Sequence, residues 1–429
     1  MKSFRDPVHD LIAFTDEDQL AVDLINTKEV QRLRRIRQLG LSNIAYPGAE
    51  HSRFVHSLGV AHLLRRFLDA PARRFADAAG ANVGEFRHLA LAAGLLHDVG
   101  HGPFSHALEA ITGERHEQWT TALLRSPATE IHQVLEARES GLSEQVASVI
   151  ERRFKPSRAL VKLLSSQLDM DRTDYLLRDA LMTGAGYGSF DVEWLLHTMR
   201  IGEADGDTEV GLDLEKGRSI DEDYIMCRYY MYLHVYFHRT TRAAEVLVEM
   251  MMRRAQEVQA RLPGLEALNS LLAGRLRADE EACVPHYLEL DDAILWTATH
   301  LWARHEDPVL ADLADRLLNR RVYRSVDVAG QDEEDRWLDA LRDRARRAGV
   351  PARYYVIADT AESHAYRDSY LTPFAAGGER GGASETIFLF DGGGAAHDLS
   401  DVSFIVSAVR NKRASVRRVM CPGEWLADA

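Results

Sequence analysis

The amino-acid sequence predicts a mainly α-helical protein with a smaller α/β lobe at its C-terminal end. Three observations carry this. Apolar residues recur at helical spacing, as in TKEVQRLRRIRQL, where Val30, Leu33, Ile36 and Leu39 follow one another three residues apart. Such stretches continue to about residue 318. Beyond it come short β-rich runs, RVYRSVDVA, RYYVIADT, TIFLFDG and VSFIVSAVR, separated by Gly- and Asp-rich turns. The expected division is therefore a helical body over 1–318 and an α/β lobe over 319–429.

Element by element, residues 1–25 read as an extended, hairpin-like start. A helix over 27–39, capped by Thr27, is broken by Gly40, Pro47 and Gly48. Helices are expected at 53–69, 85–98, 115–125, 143–153, 157–179 and 190–200. Val210, Leu212 and Leu214 alternate and mark a hairpin within 201–220. A long helical stretch over 221–261 stops at Pro263 and Gly264, and more helices run to 318. In the lobe one helix, 333–347, lies between the strands, and AAGGERGGAS at 375–384 reads as a mobile loop.

Composition narrows the function. The 429 residues carry 66 acidic and 52 basic side chains, a formal net charge of −14, with 46% hydrophobic residues. That profile fits a folded globular chain and argues against a coat on nucleic acid. No run of about 18 apolar residues suggests a membrane span. The start, MKSFRDPVHD, has no apolar signal core, so a cytoplasmic place is expected. Cys227, Cys283 and Cys421 have no CxxC spacing and suggest neither disulfides nor a thiolate metal site.

The chemistry concentrates in a few histidine- and acid-rich segments. His97-Asp98 closes the apolar run LALAAGLL at a glycine. Neighbouring helical residues point about 100° apart, so the pair can grip one ion only in a notch between helices. Other helices must add ligands, and His56 and Asp171 are the natural candidates. Such a His2Asp2 set suits Mn, Fe, Ni or Zn with open positions for water. Isolated His-Asp pairs occur by chance. Here Gly100, Gly102 and Pro103 add a tight turn bearing His101 and His106, which is expensive as mere core.

These segments carry a resemblance. HSRFVHSLG, HDVGHGPFSH and DMDRTDYLLRD together resemble the HD-domain superfamily, and more narrowly the deoxynucleoside-triphosphate (dNTP) triphosphohydrolases that include the SAM-and-HD-domain enzymes and bacterial dNTPases. The resemblance runs from about residue 3 to 245, with the HD core at about 50–180. It implies that His56, His97, Asp98 and Asp171 are metal ligands. It makes His101, His106 and His116 catalytic, with Glu109 as the acidic partner of a histidine. Arg53, Arg172 and Arg228 match basic positions around the triphosphate, Arg172 replacing a lysine. Gln38, Leu39, Asp179 and Tyr236 match positions on the deoxyribose, and Tyr175 one beside the phosphates.

The reaction so implied is attack at the α-phosphorus of a dNTP, releasing deoxynucleoside and tripolyphosphate, with Mg accompanying the substrate phosphates. The resemblance also implies a homodimer or homotetramer and an activating nucleotide at an oligomer interface, where Gln31 and Arg34 match. Asn26 replaces an aspartate that reads guanine; Asn offers one carbonyl and a donor amide, which disfavours GTP. A nucleotidase or phosphodiesterase acting on another nucleotide, and a non-catalytic nucleotide-binding regulator, stay open as alternatives.

Overall fold

The computed structural model describes residues 1–70, 82–104, 106–204, 206–364, 386–410 and 413–426; the loop expected at 375–384 lies outside them. Among the described residues the protein is mainly helical with three small sheets. The first is the hairpin Lys2–Asp6/Asp10–Phe14. The second has Met199–Ala204 antiparallel to Asp207–Asp213, extended by Phe388–Phe390 and Ala396–Asp398. The third places Arg413–Cys421 between Arg324–Asp327 and Ile357–His364.

Two apolar cores hold these elements. One gathers the Arg53–Leu68 and Arg87–Leu96 helices with Leu24, Leu123, Leu160 and Leu176. The other is built around the Arg239–Glu257 and Pro308–Leu318 helices, with Leu247 and Leu313 beside Tyr323, Tyr354 and Val419. The second core thus draws on both sides of residue 318. Phe388–Phe390 pairs in parallel with Gly211–Asp213 and carries Leu389 into the first core, while Phe388 and Phe390 pack with Ala204 in a third, small cluster.

Several expected elements differ, each for a local reason. The 27–39 helix covers only Lys28–Arg32 and continues as a 3-10 turn to Arg35. Residues 36–38 are then drawn into extended pairing: Arg53 N–H donates to Ile36 O at 2.9 Å and Gln38 N–H to His51 O at 3.0 Å. The 157–179 helix is two, Arg158–Leu164 and Met170–Thr183. Asp169 separates them, accepting from Ser166 N–H (2.8 Å) and, as cap of the second, from Arg172 N–H (2.7 Å).

The 221–261 stretch is interrupted by a π-helical turn at Tyr232–Tyr236, and Arg239–Glu257 restarts with His238 as cap. VSFIVSAVR, expected as a strand, forms the short helices Leu399–Val402 and Phe404–Val409. Asp398 and Ser403 cap them. Local capping there outweighs β-propensity. The helix Glu130–Arg138 has no counterpart among the expected elements.

A candidate metal and phosphoryl-transfer centre

The Arg53–Leu68, Arg87–Leu96 and Met170–Thr183 helices meet side by side, and each brings a ligand type to the notch. His56 Nε2 lies 3.1 Å from Asp171 Oδ1, and His97 Nε2 lies 3.5 Å from the same oxygen. Both Nε2 atoms are buried and make no hydrogen bond. Their other nitrogens are engaged: His56 Nδ1 with Asp174 Oδ2 at 2.8 Å, His97 Nδ1 with Gly94 O at 2.9 Å. Both imidazoles therefore turn an unused nitrogen toward one carboxylate, with backing groups that fix ring and tautomer. The donor set of His56, His97 and Asp171 fits a divalent cation.

Asp98 stands beside this trio but not equivalently. Its Oδ2 is 3.8 Å from His56 Nε2 and its Oδ1 is 3.5 Å from His97 Nε2. Oδ2 also receives a hydrogen bond from Arg53 Nη1, and Oδ1 lies 3.4 Å from His101 Nε2. Asp98, His101 and His116 thus make a second group whose ligand atoms lie within 4.8 Å of one another.

The electrostatics are strongly coupled. Burial would lower the His56 pKa, but Asp171 and Asp174 outweigh it and raise it to about 10. His97 is raised against the same burial by Asp98 and Asp171. Burial would raise Asp98, yet His97, Arg53 and His101 hold it well below the ordinary value. His101 goes the other way: burial, Arg53 and His116 push it well down. A neutral imidazole next to protonatable ones is the kind of separation that proton transfer uses.

His101 and His116 stack, with ring centroids 3.6 Å apart and planes 17° apart. Glu109 Oε1 meets His116 Nδ1 at 2.6 Å and accepts from His116 N–H at 3.2 Å. The expected Glu109–His116 pair is therefore formed, leaving Nε2 as the outward nitrogen of His116. His106 opens the His106–Thr112 helix, and its side chain lies outside the described residues.

The remaining expected residues fall into two clusters. In one, Asp179 joins His51 Nε2 to Oδ1 at 2.7 Å and accepts from Tyr236 O–H through Oδ2 at 2.8 Å. Tyr175 meets Tyr236 edge to face at 6.2 Å. Gln38 O receives Arg53 Nη2 at 3.5 Å, and Leu39 packs on the first core. In the other, Arg172 Nε donates to Ser166 O (2.9 Å), and Arg228 Nη1 to Gln167 Oε1 (2.6 Å). Burial lifts the Tyr224 hydroxyl far above its ordinary pKa and Asp169 adds to this. Arg172 and Arg228 oppose both, so the two arginines share one buried neighbourhood. Gln31 and Arg34, paired at 2.8 Å, sit apart from both clusters near Asn26, whose Oδ1 accepts from Lys2 Nζ at 2.5 Å.

The sequence pattern left one layer unassigned. Asp174, buried, takes His56 on Oδ2, His9 Nε2 on Oδ1 at 2.7 Å, and both Nε and Nη2 of Arg178 at 2.9 Å. Arg178 Nη1 continues to Asp6 Oδ2 at 2.8 Å. His9 is thus not an ordinary surface histidine. The available signals were Asp171-x-x-Asp174 on one helix and the charged FRDPVHD start. Gly59 belongs here too: a Cβ would sit 1.8 Å from Asp174 Oδ1.

The HD domain family model matches residues 53–179. The chain is 36% identical over 434 residues to YwfO of Bacillus subtilis, an uncharacterized protein, covering 100% of this chain and 93% of that one. It is 27% identical over 288 residues to the deoxynucleoside triphosphate triphosphohydrolase SAMHD1 of Gallus gallus, covering 59% of this chain and 45% of that one. A solved phosphohydrolase from Bacteroides thetaiotaomicron superposes with a TM-score of 0.81 at 28% identity, covering 98% of this chain and 99% of that one.

Proposed function

The chain belongs to the HD-domain family of phosphohydrolases, and from that premise we propose that it hydrolyses dNTPs to deoxynucleoside and tripolyphosphate. The observation that carries the metal-dependent part is the pair of buried, unbonded Nε2 atoms of His56 and His97 facing Asp171. His56, His97 and Asp171, with Asp98 beside them, would hold a divalent ion, which when bound would supply Lewis-acid polarisation of a phosphoryl oxygen.

The chain's own residues account for the rest of the reaction. A water oxygen bonds to the α-phosphorus and gives up a proton, the bond to the 5′-oxygen breaks, and that oxygen takes up a proton. His116, oriented by Glu109 through Nδ1, offers Nε2 for this proton transfer. His101, kept neutral, stacks on it, and His106 completes the set by resemblance. Arg53 lies against Asp98 and stabilises charge at the phosphoryl oxygens, while Arg172 and Arg228 take the outer phosphates. Tyr175 closes beside them. Gln38, Leu39, Asp179 and Tyr236 hold the sugar; the Tyr236–Asp179 bond sets the ring that crowds the 2′-position. Gln31 and Arg34 would receive an activating nucleotide between copies of the chain in a homodimer or homotetramer.

The test is a panel of dNTPs and NTPs, alone and in pairs, with Mn or Mg and chromatographic product identification. The reading expects deoxynucleoside plus tripolyphosphate. Orthophosphate or a nucleoside monophosphate as the product would overturn it.

A further inference from the structure

The turn that carries His101 leaves the Arg87–Leu96 helix with its last carbonyls pointing out of the helix. Such carbonyls need partners from elsewhere, and here side chains provide them. Thr120 Oγ1 donates to His97 O at 3.1 Å and accepts from Gly100 N–H at 3.0 Å. Arg32 Nη1 donates to His101 O at 2.8 Å and Val99 O at 3.4 Å, and its Nε to Leu290 O at 2.9 Å. Tyr287 O–H donates to Gly100 O at 2.6 Å.

Arg32 is fully buried, and the hydrogen bonds it makes go to main-chain carbonyls rather than to a carboxylate. Burying a guanidinium costs free energy, and the five donors of its planar fork suit several acceptors at fixed angles. Its guanidinium lies 5.2 Å from the Tyr287 ring centre, and Tyr287 stacks flat on Trp119 at 3.8 Å and 3°. Trp119 belongs to the helix that begins at His116. Arg32, Tyr287 and Trp119 thus form one pile that touches the His101 turn on one side and the His116 helix on the other. Gly100 lets the two approach: a Cβ there would meet Thr120 N at 2.2 Å and His116 O at 2.3 Å.

We propose that Arg32 and Tyr287 are positioning residues that set His101 against His116 by fixing the carbonyls of residues 99–101. Neither need touch the substrate. This rests on the phosphohydrolase reading of the site for its kinetic consequence, but not for its structural one. Tyr287 and Leu290 belong to the second half of the chain, so the second core has a direct hold on the turn.

The experiment compares wild type with Tyr287→Phe and Arg32→Lys, each loaded with Mn for turnover and with diamagnetic Mg for the resonances. Tyr287→Phe keeps the stack and removes one donor; Arg32→Lys keeps the charge and loses the fork. Tyr323→Phe is the control, since it also deletes a buried hydroxyl donating to a carbonyl, that of Tyr354, away from the turn. Three readouts are taken: kcat and KM, bound metal, and imidazole nitrogen resonances of His101 and His116. The expected result is kcat lower by about 10-fold or more, as sub-ångström misplacement causes. KM and metal content stay unchanged, and the two imidazoles shift. Tyr323→Phe should leave kcat and those resonances as in wild type. Folded variants with wild-type kcat and unmoved imidazoles, or an equal loss in the control, would overturn the proposal. If wild type turns over no nucleotide, the functional reading falls, and the imidazole shifts alone then decide the positioning role.

Discussion

Asp174 shows how much of the site depends on residues that would never touch a substrate. It is acceptor-only, buried, and shared by His56, His9 and Arg178. Asp174→Asn replaces one acceptor by a donor amide facing His56 Nδ1. We expect metal affinity to drop about 10- to 100-fold, the usual cost of losing such a backing group, as measured by competition with a chelating dye. The convergence of His56, His97 and Asp171 was legible in the sequence because His97-Asp98 and the flanking glycines break the rules of an ordinary core helix. The part played by Asp174 was not: a carboxylate four residues before an arginine reads as an ordinary helix pair until three-dimensional packing buries it. His62 supplies a separate test. Burial, with His9 and Arg65 nearby, pushes its pKa down to about 3 from 6.5. Its folded value lies below the unfolded one, so its contribution to stability is complete above pH 6.5. It declines as pH falls from 6.5 toward 3, where only the unfolded chain takes up the proton. Urea midpoints measured across that window should fall more shallowly with acid in His62→Gln than in wild type.

Among the elements, the breaks matter more than the helices. The Arg53–Leu68 helix was readable to within a residue, since one apolar pattern determines it. The interruptions at 165–169 and 232–238 were not readable, because each is set by a tertiary partner. Asp169 turns its carboxylate on Ser166 and Arg172, and the π-turn carries Tyr236 to Asp179. π-turns recur at functional places for this reason. Tyr236→Phe removes the hydroxyl that holds Asp179. It should raise KM several-fold and relax discrimination against NTPs, seen in the ratio of kcat/KM for a dNTP and its ribose counterpart. Gly100 marks a second such point. Gly100→Ala forces Thr120 and His116 main chain away, a shift costing about 1–3 kcal/mol. Its thermal midpoint should fall and its turnover should fall further than stability alone explains.

At the scale of the whole molecule, the centre lies on the seam between the two apolar cores. Val99 packs in the first, whereas Phe104, Trp119 and Tyr287 pack in the second. The division expected at residue 318 marked the change from helices to strands, but apolar contacts do not follow that change. Leu313 and Tyr323 share one core, and Ile387, Leu389 and Leu399 return to the other. Sequence texture reports local propensity, and long-range pairing decides membership of a core. The net charge of −14 is likewise a property of the whole, while at the centre Arg53 sets a guanidinium against Asp98. Hydrolysis is expected to depend on a divalent ion held by His56, His97 and Asp171. The most direct measurement determines bound metal and dNTP turnover together, in wild type and His97→Ala. The account predicts stoichiometric metal and turnover in wild type, and the loss of both in a folded His97→Ala. Undiminished hydrolysis by metal-free protein, or by His97→Ala, would contradict it.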